Sequence, residues 1–299
     1  MRILVSGSSG LIGSALTRAL ASGSHTVVRL ARSSVRVDGA SVSWDPERQT
    51  IDRAGLEGFD AVVHLAGEPI LGRWTAAKKR RIRDSRVLGT QLLAEALGSL
   101  AQRPSVLVCA SAAGYYGDRG GEILTEDSTP GRGFLAGVAQ AWESAAESAR
   151  GAGIRVVHIR TGLVLARAGG LLKTILPPFQ LGLGGPIGRG RSWWSWITLD
   201  DLVAAYRFAI VREGITGAVN AAAPNPVTNA DFARMLGAVL KRPALLPVPP
   251  LALRLVFGRE AADDAMLSGT RLHPARLLAA GFRFQYAELE AALRRVLGF

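Results

Sequence analysis

The sequence predicts an α/β protein: a doubly wound parallel sheet with a smaller C-terminal α/β lobe. Three observations carry this. Apolar runs of strand length alternate with stretches of helix length from residue 1 to about 162. Such alternation argues for a parallel sheet, because parallel strands need a long crossover between them, usually a helix. A glycine-rich turn joins the first apolar run to the first amphipathic stretch. Beyond residue 162 the composition shifts to glycine, proline and tryptophan, and the regular alternation stops.

In order, "RILVS" (2–6) is a continuous apolar run of the kind found in strands covered on both faces. "LIGSALTRALAS" then sets Leu11, Ile12, Ala15, Leu16, Ala19 and Leu20 at helical spacing and meets Gly23 at its stop. "TVVRLAR" is the second strand and "SVSW" a short third. "DAVVHLAG" (60–67) and "PSVLVCAS" (104–111) are two more, separated by a long helix, "AAKKRRIRDSRVLGTQLLAEAL". A helix at "FLAGVAQAWESAAE" (134–147) leads to the strand "IRVVHIRTG" (154–162). Further on, "LPPFQLGLGGPIGRGRSWWSWITLDDL" reads as loop with a late strand. "DDLVAAYRFAI" reads as a helix and "GAVNAAAP" as a buried strand. "VTNADFARMLGAVL" and "YAELEAALRRVLGF" read as helices flanking the proline-rich "RPALLPVPPLALRL" and a short helical stretch. Residues 1–162 are assigned to a first domain and 163–299 mainly to a second lobe, with segments near 195–225 expected to return to the first.

At 299 residues, 48% hydrophobic and 20% charged, the chain has the composition of a soluble globular protein. No apolar run approaches the roughly 20 residues of a membrane span, so no membrane role is expected. "MRILVSGSSG" enters a strand directly, without the basic start and apolar stretch of a signal peptide, which points to the cytoplasm. The single cysteine, Cys109, excludes an internal disulfide, and His25, His64 and His158 lack ligand-like spacing, so no metal is expected. The net charge is +12, from 36 basic residues of which only four are lysines. The arginines are scattered, apart from "KKRRIRDSR" at 78–86, and are not interleaved with aromatic residues. That pattern fits a solvated basic surface with a local anion site rather than nucleic-acid binding.

The strongest signal is Gly7-Ser8-Ser9-Gly10-Leu11-Ile12-Gly13, set between the first strand and first helix. In that context Gly7 takes the tight turn, Gly10 lets the backbone approach a diphosphate, and Gly13 lets the helix lie close to the sheet. The helix start then offers free N–H groups and partial positive charge to phosphate. A cofactor with a free ribose 2′-hydroxyl usually meets an acid at the end of the second strand. Here Arg32 stands there, followed by Ser33 and Ser34. A guanidinium suits a 2′-phosphate, so the expected cofactor is NADP(H), with a surface cation as the alternative role for Arg32.

These glycines, with "HLAG" (64–67) and "SAAGYYG" (111–117), make the chain resemble an extended short-chain dehydrogenase/reductase, specifically the atypical epimerase-family branch labelled cell-division-inhibitor-like. "LAGEPI", "SRVLGT", "WE", "RTGLVL", "PPFQLGLGGPIGRGRSWWSWI", "DDL" and "VNAAAP" extend the resemblance in order along nearly the whole chain. The resemblance implies a Rossmann-type domain, with Leu65, Ala66 and Gly67 beside the adenosine, Arg86 facing the cofactor and Leu163 approaching the nicotinamide. It implies an oxidoreductase or epimerase acting on a small polar substrate, or a cofactor-binding regulator or assembly factor without turnover.

The chain departs from the superfamily in one place. The Tyr and Lys slots of the 134–147 helix hold Leu135 and Ala139, which transfer no proton. Ser111 is the candidate to hydrogen-bond a substrate oxygen, with capping of the strand end as its alternative role. A substitute acid could come from Tyr115 or Tyr116, with Tyr116 the candidate proton donor and walling of the pocket the alternative role for both. Gly182 to Trp196 is expected to be the substrate-side loop, with Arg189 and Arg191 available to an anion.

Overall fold

The computed structural model describes residues 1–32 and 41–299. Its strands in chain order are β1 (Arg2–Ser6), β2 (Thr26–Arg32), β3 (Ser41–Asp45), β4 (Thr50–Ile51), β5 (Ala61–His64), β6 (Val106–Ala112) and β7 (Ile123–Leu124). They continue with β8 (Arg155–Thr161), β9 (Leu163–Leu165), β10 (Trp193–Trp194), β11 (Trp196–Thr198), β12 (Gly217–Ala221), β13 (Val227–Thr228) and β14 (Arg271–Leu272). The helices are α1 (Leu11–Ser22), α2 (Ala76–Gly98), α3 (Phe134–Ser144), α4 (Glu147–Gly151), α5 (Gly170–Gln180), α6 (Leu199–Val211), α7 (Asn229–Leu240), α8 (Pro250–Phe257), α9 (Arg259–Ala262), α10 (Ala275–Ala279) and α11 (Leu289–Leu297).

The main sheet runs β12-β8-β6-β5-β1-β2-β3-β4, parallel throughout except for the β3–β4 pair. From β1 the chain winds one way through β2 and β3, and from β5 the other way through β6, β8 and β12. The reversal between β1 and β5 opens a crevice at the carboxyl ends of those strands, where open α/β sheets bind ligands. Alternate residues of β1 serve opposite layers: Ile3 and Val5 pack with Leu16, Leu20 and Tyr206 of α1 and α6, while Leu4 packs with Leu93, Leu97 and Ala149 of α2 and α4. Burial on both faces explains why these strands read as continuous rather than alternating apolar runs.

A third core gathers the second lobe, with Leu172 and Leu176 of α5, Trp194, Trp196, Phe232 and Leu293. The expected loop at "LPPFQ" is instead the end of α5, which contains Pro177 and Pro178. Two prolines in a helix each forfeit a donor and crowd the preceding turn. Burial of Leu172, Leu176 and Phe179 along one face holds the helix nonetheless. The chain does not stay in this lobe: β12 returns to pair with β8 at the edge of the main sheet. Among the described residues, no helix is long and apolar enough to cross a membrane.

Candidate active site at the sheet switch point

The glycine turn follows β1 directly. Gly7 has φ +65°, and a Cβ there would lie 2.7 Å from the Leu65 carbonyl carbon, so backbone of the β5 loop occupies its side-chain space. A Cβ on Gly13 would run into the Gly7 carbonyl and sit 2.8 Å from Ser8 Cα. Helix α1 therefore starts against the turn. Gly10 caps it with no side-chain hydrogen bond, and its first turn carries no acid. By contrast Thr75, Thr198 and Thr228 cap α2, α6 and α7 through their hydroxyls. Of these four helices, the one that opens on the crevice lacks an internal cap, which leaves its first N–H groups and its dipole to an external anion.

The wall opposite is fixed by Ser6. Its Oγ accepts from the N–H of Leu65 (3.0 Å) and of Ala66 (3.3 Å), and it shares a hydrogen bond of 2.7 Å with His64 Nδ1. Burial lowers the pKa of His64 to about 4, so it stays neutral. Arg86 of α2 lies against Gly67, and its Nη1 donates to the carbonyls of Glu68 (2.9 Å) and Ile82 (3.1 Å). Burial lowers its pKa to about 10, which still leaves a cation beside the crevice at neutral pH. Arg32 ends β2 with an exposed side chain. Ser33 lies outside the described residues, so its expected contact is not located. Asp45, at the end of β3, uses Oδ1 to accept from the Glu47 and Arg48 N–H groups and so builds a turn.

At the carboxyl end of β6 the expected proton carriers are already engaged. Ser111 is buried and donates to Glu143 Oε1 at 2.6 Å. Glu143 in turn is gripped by Arg160 of β8, Nε to Oε1 and Nη2 to Oε2, both 2.8 Å. Burial alone would raise the Glu143 pKa, but the bonds and charge of Arg160 leave it lowered. Tyr116 is fully buried; its hydroxyl donates to Asn220 Oδ1 (2.7 Å) and accepts from Arg160 Nη1 (2.9 Å). Burial, only partly opposed by Arg160, pushes its pKa up to about 12. The expectation that Tyr116 hands a proton to substrate does not fit this placement, because its one donor is committed inside the core. The Ser111 proton is committed likewise. Tyr115 differs: it is half-buried, its ring lies 3.4 Å from the Arg160 guanidinium carbon, and no hydrogen bond holds its hydroxyl among the described residues.

Leu135 stands in the first turn of α3, facing Gly114, and Ala139 is buried one turn on. Leu163 begins β9, where its N–H donates to the Ser195 carbonyl (2.7 Å). Trp194 and Trp196 are buried anchors of the second lobe, while Trp193 is half-buried beneath Arg271 at 4.1 Å.

This site belongs to a chain whose residues 3–222 match the model of the NAD dependent epimerase/dehydratase family. The chain is a member of that family. Residues 248–296 match a second model, a domain of unknown function, DUF1731. An "Epimerase family protein" of Mycobacterium bovis, Mb2239, is 42% identical, over 97% of this chain and 96% of that one. The human epimerase family protein SDR39U1 is 38% identical, over 99% of this chain and all of its own. A crystal structure of human SDR39U1 (isoform 2) with NADPH superposes with TM-score 0.91 at 37% identity, covering 100% of this chain and 99% of that one. A nucleoside-diphosphate sugar epimerase from Corynebacterium glutamicum superposes with TM-score 0.83 at 39% identity, covering 100% of this chain and 58% of that one.

Within this family member, sequence reasoning missed the roles of four residues. Ser6 was read only as the end of a strand; the polar residue closing an apolar run was its signal. The Glu143–Arg160 pair joins residues 17 apart in different elements, and nothing in local spacing announces it. Asp264, from the DUF1731 segment, accepts from the Leu135 N–H at 2.9 Å and so caps α3 across the two lobes.

Proposed function

We propose that this chain binds NADP(H) and acts as an oxidoreductase or epimerase-type enzyme on a small polar substrate, without a tyrosine–lysine pair. The observation that carries it is the uncapped, acid-free start of α1 behind a turn whose Gly7 and Gly13 admit no Cβ. Gly7 to Gly13 would hold the diphosphate, Arg32 the 2′-phosphate, Leu65 to Gly67 the adenosine side, and Arg86 the face nearest α2. Leu163 would lie towards the nicotinamide. The cofactor, when bound, supplies or accepts a hydride. The human relative crystallised with NADPH supports the choice of dinucleotide. Tyr115 is the hydroxyl of the Ser111–Tyr116 segment left free to serve a ligand, and solvent is the other source of a proton.

The second reading, a cofactor-binding regulator without turnover, is favoured by the internal commitment of Ser111 and Tyr116 and by Leu135 in the tyrosine slot. Binding titrations with NADPH and NADH, followed by NADPH consumption against a panel of carbonyl compounds, separate the two. Preference for NADPH with consumption supports the enzyme; preference without consumption supports the regulator. Arg32→Glu should lower NADPH affinity at least tenfold and leave NADH binding little changed, by loss of a charge-assisted contact. Equal binding of both dinucleotides by the unaltered protein overturns the assignment of Arg32.

A further inference from the structure

A cavity of about 900 Å³ lies where the Tyr116–Phe134 loop meets the DUF1731 segment, lined among others by Arg119, Arg132, Phe134 and Arg259. Its charges are nearly all satisfied from within the protein. Asp118 accepts from the Gly120 N–H, and Arg119 grips Glu122 with two nitrogens at 2.9 and 2.8 Å. Glu260 holds Lys79 at 2.6 Å, Asp263 holds Arg254 at 2.8 Å, and Asp264 caps α3. Arg259 reaches Asp263 at 3.6 Å. Arg132 alone among these lining charges has no hydrogen bond or ion pair with the described residues.

The backbone that carries Arg132 is tightly fixed. Gly131 donates its N–H to the Tyr115 carbonyl at 2.9 Å, and any Cβ on it would collide with the Tyr116 carbonyl. Gly117, at φ +61°, leaves no room for a Cβ because the Arg132 carbonyl would be 2.8 Å away. Gly133 takes φ +109° beside Asp264. Three glycines thus set the backbone path through Arg132, three residues before Leu135, while its side chain stays exposed. An exposed guanidinium without a bonded partner among the described residues, on the wall of a concave site between lobes, suits a planar or tetrahedral oxyanion, which it binds through paired N–H groups.

We propose that this cavity binds an anionic group, carboxylate or phosphate, with Arg132 as its counter-ion, and that the substrate of the reaction proposed above carries such a group. The substrate clause rests on that proposal; the anion site does not.

Isothermal titration of the full chain with inorganic phosphate and, separately, with succinate tests it at low ionic strength. Saturable binding of one of them is expected, weakened at least tenfold in Arg132→Gln and partly restored in Arg132→Lys, by loss of charge-assisted hydrogen bonds. Arg207→Gln, an arginine outside the cavity, should bind as the unaltered protein does. The arm that binds tells phosphate from carboxylate. No binding in either arm, or equal binding by Arg132→Gln, overturns the site. Arg132-dependent binding without NADPH consumption keeps the site and removes the enzyme.

Discussion

Arg160 and Glu143 meet through two parallel hydrogen bonds of 2.8 Å, with side chains only 4% and 13% exposed. Burial of either charge alone is costly, so the pair is stable only as a pair. Arg160 also stacks on Tyr115 and donates to Tyr116, and Glu143 accepts from Ser111. The ends of β6 and β8 and the C-terminal end of α3 are thereby locked together under the site. Glu143→Ala should cost about 3–5 kcal/mol of unfolding free energy. The double change Glu143→Leu with Arg160→Met should recover much of it, because no lone charge remains. Urea denaturation measures both; a loss below about 1 kcal/mol for the single change contradicts the account.

The two adjacent tyrosines should separate by experiment. Tyr116→Phe strips a donor from Asn220 and an acceptor from Arg160, both buried. Each orphaned polar group costs about 1–3 kcal/mol, so the midpoint of urea unfolding should fall while NADPH binding persists. Tyr115→Phe keeps the ring over Arg160 and loses no hydrogen bond seen in the structure, so stability should hold. If Tyr115 supplies the proton, that variant loses turnover. A Tyr116→Phe protein as stable as the original would remove the structural role given to this hydroxyl.

Gly13→Ala tests the cradle. The added methyl would meet the Gly7 carbonyl and Ser8 Cα, both backbone, so neither can swing aside. The helix must shift away from the turn, at a cost of order 1–3 kcal/mol, and the N–H groups shift with it. Dinucleotide affinity, followed by the quenching of tryptophan fluorescence, should fall by more than the change in stability alone explains. Gly137→Ala is the control: its site on α3 is open, and a helical Gly→Ala should leave stability equal or higher.

Which parts of this were legible beforehand follows from the range of the forces involved. The strands of the central sheet and α1 were readable because burial on two faces and a 3.6-residue period are local patterns. The cradle was readable because Gly7, Gly10 and Gly13 lie within one turn of chain. The network around Arg160 was not, since residues 111, 116, 143, 160 and 220 come together only through strand order. Tyr116 looked available for the same reason: sequence places it in a ligand-side loop, and only the fold brings Asn220 and Arg160 to its hydroxyl. Helix α5 was hidden by Pro177 and Pro178, whose breaking tendency is local while the burial that overrides it is tertiary.

Acid should unfold this protein through its buried histidines. His64 and His158 lie on β5 and β8, each in register with Cys109 of β6 between them. Burial lowers both pKa values from 6.5 to about 4. Between those values the unfolded chain holds protons that the folded one refuses, so stability rises with pH there. It is fully present above about pH 6.5 and lost as pH falls towards 4, by roughly 2–3 kcal/mol per histidine at pH 4.5. Among the described residues neither ring nitrogen of His158 has a hydrogen-bond partner, so replacing it removes no bond seen in the structure. His158→Leu should therefore lessen the loss between pH 7 and 4.5 by about that amount, measured by urea denaturation at the two pH values. Lowered carboxylates such as Glu68 and Asp231, whose shifts do not involve His158, also lose stability in acid but cancel in the comparison, whereas Glu143 is held low in part by the His158 charge and adds to the difference. An unchanged acid limb in His158→Leu would mean that this imidazole is protonated or hydrated in the folded state, contrary to its burial.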